Sequence, residues 1–115
     1  MMPSEVALPA GVPGKLYIYR MPGHIGYDRS FEEDSELIAE VGIDSVVCLA
    51  PLDEIGRKSP AYARAIASGS VPWARRDYPI EDFTAPEGEE RPAFLSLVQE
   101  IAAALRAGKR VMIHC

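Results

Sequence analysis

Two short apolar runs limit what this chain can fold into. Val46-Val47-Cys48-Leu49 and Val111-Met112-Ile113 are short and have no alternating polar face. Such runs suit strands covered on both sides, as in a parallel sheet flanked by helices. Each follows a stretch with helical spacing that ends in glycine. Ser30-Phe31-Glu32-Glu33 has the hydroxyl and carboxylate of a capping box, which predicts a helix through Leu37, Ile38 and Val41, stopped by Gly42. Phe94, Leu97, Val98, Ile101 and Leu105 recur at helical spacing from about Glu90, with Glu100 and Arg106 facing away and Gly108 as the stop. Strands are predicted over 43–49 and 109–114.

The remaining segments extend the alternation. Lys15 to Arg20 is rich in β-formers and predicts a strand closed by Pro22 and Gly23. Ser59-Pro60 predicts a helix start, with Tyr62, Ala63 and Ile66 inside it and Gly69 at its end. Val71 to Tyr78 predicts another strand, and Pro79 to Glu90 a loop. Residues 1–14 contain Pro3, Pro9, Gly11, Pro13 and Gly14 and predict a flexible arm without regular structure. The expected architecture is α/β, with a mostly parallel sheet flanked by helices. Residues 15–115 would form part of one domain, since 115 residues support a single core.

Bulk properties exclude several functions. Charged residues make up 25% of the chain and the net charge is -5, which argues against a broad nucleic-acid surface. No apolar run approaches the roughly 18 residues of a membrane span. The N-terminus lacks a basic start followed by an apolar stretch, and two cysteines far apart make no disulfide framework. A reducing cytoplasm is the expected setting.

The chemistry concentrates at the end of the last predicted strand. In open α/β sheets, ligands bind beyond the carboxyl ends of central strands, where Cys115 would lie. Gly108-Lys-Arg-Val-Met-Ile-His-Cys115 resembles the strand that leads into the phosphate loop of protein tyrosine and dual-specificity phosphatases. There a basic-apolar strand ends in His-Cys, followed by five residues and an Arg. Tyr78-Pro-Ile-Glu-Asp82-Phe-Thr-Ala-Pro86 resembles the general-acid loop of the same family, in which an Asp follows a Tyr-Pro-Ile type stretch. The compact, kinase-associated and bacterial members are the most similar.

The resemblance implies roles. Cys115 would be the nucleophile, ionised by backbone N–H groups and positive charge, and would carry a phosphocysteine. Asp82 would protonate the leaving oxygen and then activate water. His114 would hold the loop's shape rather than act as a base. No metal or other cofactor is implied. The substrate would be a phosphoprotein, on phosphotyrosine and as further candidates phosphoserine or phosphothreonine, or another phosphomonoester. The phosphate loop, its Arg and the C-terminal helices are not among the 115 residues, so this stretch alone is expected to be inactive and poorly stable.

Other residues admit two readings each. Arg75 and Arg76 would edge the pocket or be solvated surface charge. His24 would support the site or be a plain loop residue. Tyr27 and Phe83 would line the pocket wall or pack elsewhere, and Asp77 is a rival to Asp82 as acid. Cys48 would pack in the core, or pair with Cys115 as a protective disulfide. Three other functions fit less well: a catalytically silent phospho-residue or phosphoinositide binding module, a sulfur-transfer enzyme, and a zinc site from His24, Cys48, His114 and Cys115, which lack paired ligand spacing.

Overall fold

The computed structural model describes residues 2–80 and 90–115. Five strands form one sheet: β1 (Ser4–Val6), β2 (Lys15–Tyr19), β3 (Ser45–Cys48), β4 (Arg75–Asp77) and β5 (Arg110–His114). Their order across the sheet is β1-β2-β5-β3-β4. All neighbours are parallel except β1 and β2. Four helices connect them: α1 (Phe31–Val41), α2 (Leu52–Lys58), α3 (Pro60–Ser68) and α4 (Glu90–Arg106). The mostly parallel α/β architecture expected from the apolar runs is present.

Both faces of the sheet are covered, which explains why β5 lacks an alternating pattern. Met112 packs with Tyr17, Tyr19 and Val46 against Leu37 and Ile38 of α1. Val111, one residue earlier on β5, packs with Val47 against Leu97 and Leu105 of α4. Met21, Cys48 and Ala50 pack against Ile55 of α2 and Tyr62 of α3. Full burial of such side chains is worth roughly 1.5–3 kcal/mol each.

Local chemistry sets the helix ends. Ser30 Oγ accepts from the Glu33 N–H at 3.1 Å, and Glu33 Oε1 accepts from the Ser30 N–H at 3.0 Å. The capping box starts α1 as expected, and these bonds hold the Glu33 carboxyl below its usual range. Gly42 and Gly69 follow α1 and α3 in the left-handed conformation. Gly14 is required for a different reason. A side chain there would meet the Leu105 and Lys109 carbonyl oxygens at 2.5 Å. The Gly14 N–H instead donates to Leu105 O at 2.8 Å, seating the start of β2 against the end of α4.

Three local expectations need correction, and one helix, α2, is an addition to them. Residues 4–6 form an edge strand on β2, with Val6 opposite Leu16, and Leu8 and Val12 join the core. Prolines shorten such a strand and confine it to an edge without preventing it. Residues 52–58 form α2, held by Arg57–Asp53 and Lys58–Glu54 pairs one turn apart. The strand expected over 71–78 is only Arg75–Asp77, because Pro72 offers no N–H and β3 pairs only there. Val98, placed on the buried face of the last helix by its spacing, is 45% exposed. On the helix it lies only about 20° from buried Leu105, seven residues on, so spacing alone does not separate the two.

Candidate active site

Register brings four strand ends to one edge. Tyr19 and Cys48 both pair with His114, and Cys48 pairs with Asp77. The next residues, Arg20, Cys115, Leu49 and Tyr78, therefore lie side by side beyond the sheet. Main-chain bonds continue the alignment. The Leu49 N–H donates to His114 O at 2.9 Å, the Tyr78 N–H to Cys48 O at 2.8 Å, and the Ile80 N–H to Leu49 O at 2.9 Å. Cys115 is exposed at the end of the central strand. Asp82 and Phe83 lie outside the described residues, but Ile80, two positions before Asp82, is tied to this edge.

His114 is 1% exposed and sits under Cys115. Its Nε2 is 2.9 Å from the Tyr62 hydroxyl, and its Nδ1 is 3.4 Å from Cys115 O. Burial holds its pKa down to about 4, against the opposing pull of the Cys115 carbonyl. The ring is therefore neutral near pH 7. A carbonyl oxygen only accepts, so the proton belongs on Nδ1, and the Tyr62 hydroxyl donates to Nε2. Tyr62 is itself fully buried, which raises its pKa well above the usual phenol value. A neutral buried tyrosine is a fixed donor. The imidazole is thus held at both nitrogens.

A second buried polar group braces the neighbouring loop. Asp34, on α1 and 0% exposed, accepts from Arg20 at 2.8 and 3.2 Å, from the Tyr19 hydroxyl at 2.8 Å and from the Gly23 N–H at 2.7 Å. Burial and this bond push the Tyr19 phenol up to about 12. Gly23 has φ of +72°, and a side chain there would meet Ser59 Oγ at 2.8 Å and Phe31 Cβ at 2.9 Å. Ser59 Oγ donates to Pro22 O at 2.7 Å instead of capping α3. The turn after β2 is therefore locked to α1 and to the α2–α3 junction.

The other sequence candidates divide. Arg75 lies partly buried on β4 and reaches Asp77 at 3.5 Å. Its charge adds to the neutrality of His114. Arg76 points to the α4 face, where its Nε donates to Glu100 at 3.0 Å. Asp77 is on β4. His24 and Tyr27 occupy the loop after β2, with their rings edge to face at 5.2 Å. Cys48 is fully buried, its Sγ is 3.7 Å from Ala50 O, and burial pushes its thiol pKa up. Asp34, Arg20 and Tyr62 were not singled out from the sequence. An acidic residue on the buried stripe of Phe31, Leu37, Ile38 and Val41 was the available signal for Asp34. Among the described residues, no group of three or more His, Cys, Asp or Glu is placed to hold a metal, and no helix is long and apolar enough to cross a membrane.

The fold recurs in known structures. A kinase-associated phosphatase carrying serine in place of its catalytic-site cysteine superposes with a TM-score of 0.76 at 18% identity, over 97% of this chain and 62% of that one. The fold is that of the protein tyrosine and dual-specificity phosphatases. Tk-PTP in its active form matches with a TM-score of 0.59 at 26% identity, over 100% of this chain and 63% of that one. A protein from Leishmania major, assigned as a protein tyrosine phosphatase, matches with a TM-score of 0.61 at 14% identity, over 100% of this chain and 69% of that one. The present chain thus spans less than two thirds of the kinase-associated phosphatase and of Tk-PTP. The sequence matches no protein-family model and no curated protein. The phosphatase fold accounts for the strand order of the sheet.

Proposed function

We propose that this chain is the nucleophile-bearing portion of a cysteine-dependent phosphatase acting on phosphotyrosine, with phosphoserine and phosphothreonine as further substrates. One observation carries the reading: Cys115 follows a central strand whose last residue, His114, is buried, neutral and held at both ring nitrogens. A fixed main chain at this point fixes where the thiolate points. Positioning of a nucleophile accounts for much of the barrier lowering in such reactions.

In the proposed reaction the Cys115 thiolate attacks phosphorus. The S–P bond forms as the P–O bond to the leaving group breaks, and Asp82 donates its proton to that oxygen. Water then attacks phosphorus and gives its proton to Asp82. The S–P bond breaks and inorganic phosphate leaves. The groups that hold the phosphoryl oxygens in this family follow the cysteine and are not among these 115 residues. Neither step requires His114 to change its charge.

The test uses the full protein encoded by the gene. A phosphotyrosine peptide should be hydrolysed, and brief acid quenching should trap phosphate on Cys115. Cys115→Ser should abolish both signals. Asp82→Asn should lower kcat by a factor on the order of 10²–10⁴. Binding of the peptide without turnover in the unmutated protein would favour a silent phospho-residue binding module instead.

A further inference from the structure

The loop after β2 exposes apolar side chains from a backbone with no slack. Ile25 is 70% exposed and Tyr27 is 46% exposed. Exposed apolar residues on a mobile loop need no explanation, but this loop is tied at each step. Gly23 N–H donates to Asp34 Oδ2 at 2.7 Å, and His24 N–H to Met21 O at 3.2 Å. Ile25 N–H donates to Lys58 O at 2.8 Å, at the end of α2. Gly26 N–H donates to His24 Nδ1 at 2.9 Å, and Tyr27 N–H to His24 O at 3.1 Å. The Tyr27 ring stacks on the Arg20 guanidinium at 4.5 Å, which is itself bonded to buried Asp34. A chain of bonds thus runs from the core to the exposed ring.

The same bonds decide what the loop can recognise. Successive free N–H groups would make an anion cradle. Here the N–H groups of residues 23–27 are all engaged within the protein, so the loop presents no such cradle. It presents the Ile25 side chain and the Tyr27 ring. It begins one residue beyond Tyr19, whose strand partner is His114, so its first residue, Arg20, lies beside Cys115, and Arg20 carries the Tyr27 ring. We infer that Ile25 and Tyr27 are specificity-determining residues that receive an apolar side chain next to the phosphorylated residue of a protein substrate. This rests on the phosphatase reading and adds to it a substrate class, phosphoprotein segments with an apolar neighbour. A pre-ordered wall also saves the entropy of fixing a loop on binding.

The full protein would be given two phosphopeptides, one with leucine and one with aspartate beside the phosphorylated residue, together with para-nitrophenyl phosphate, which has no flanking residue. The leucine peptide should have the lower KM. Ile25→Asp should lower the ratio of leucine-peptide to para-nitrophenyl phosphate kcat/KM about tenfold. Tyr27→Ala should lower it in the same direction, and Tyr27→Phe, which keeps the ring, should restore it. Turnover of the small ester reports that each variant folds. An unmoved ratio in Ile25→Asp, or equal KM values for the two peptides in the unmutated protein, would overturn the wall while leaving the phosphatase reading intact. Anisotropy with Cys115→Ser separates the opposite case. Tighter binding of the leucine peptide, weakened by Ile25→Asp, would sustain the wall even if turnover were absent.

Discussion

The two faces of the sheet are built from different chemistry. On the face covered by α1, α2 and α3 lie all three buried polar residues among the described ones, Asp34, Ser59 and His114. Each holds a segment at the carboxyl edge: the turn after β2, the α2–α3 junction and the approach to Cys115. The face covered by α4 is apolar inside, with Val47, Leu97, Leu105 and Val111 at its centre. Its ion pair, Arg76–Glu100, is at the surface. Apolar contacts tolerate exchange among shapes of similar volume. Buried hydrogen bonds demand particular partners in particular directions. The face that braces the candidate site is therefore the specified one, and the opposite face supplies bulk burial.

The largest expected break in this contrast is Asp34→Ala. The substitution removes the carboxylate that Arg20 pairs with, Arg20 having a side chain only 9% exposed, and also frees the Tyr19 hydroxyl and the Gly23 N–H. Leaving a buried charge without its partner costs about 3–5 kcal/mol. Urea unfolding of the full protein should show a loss of that size. A loss under about 1 kcal/mol, the range of an exposed pair, would mean that Arg20 reaches solvent and the polar face is not the specified one.

A smaller effect should come from His114 through pH. Its folded pKa is about 4, below the ordinary imidazole value of 6.5, because the ring is buried. Between these values the unfolded chain binds the proton and the folded one does not. Stability from this group is therefore complete above pH 6.5, falls as pH drops through that window, and is lost below about 4. The full swing is roughly 3 kcal/mol. His114→Asn should flatten the profile of stability against pH between 6.5 and 4, after the common carboxylate titration is subtracted. Parallel profiles for the two proteins would place the imidazole in contact with water.

Legibility from sequence follows the same division. Local chemistry was readable: the capping box at Ser30, the glycine after α1, and the apolar β5 ending at Cys115. The edge strand at 4–6 was hidden because its partner, β2, and not its own residues, makes it a strand. In α2, Pro51 reads as a stop, although Asp53–Arg57 and Glu54–Lys58 carry helical spacing. The polar braces were least readable. Tyr62 and His114 are 52 residues apart, and Arg20 and Asp34 are 14 apart. No local rule pairs such groups. Only the finished sheet brings them together.

The smallest expected effect is on the α4 face and tests the contrast from the other side. Leu95 is 51% exposed, beside exposed Val98. Leu and Gln have similar helix propensities, so Leu95→Gln changes surface polarity with little effect on the helix itself. If bulk burial on this face resides in Leu97 and Leu105, the unfolding free energy should move by no more than about 0.5 kcal/mol. Leu97→Ala in the same helix, by comparison, should cost about 2–5 kcal/mol. A loss above about 1 kcal/mol from Leu95→Gln would mean that this side chain is covered in the full protein. The apolar face would then be as closely specified as the polar one, and the contrast between them would rest on hydrogen bonds alone.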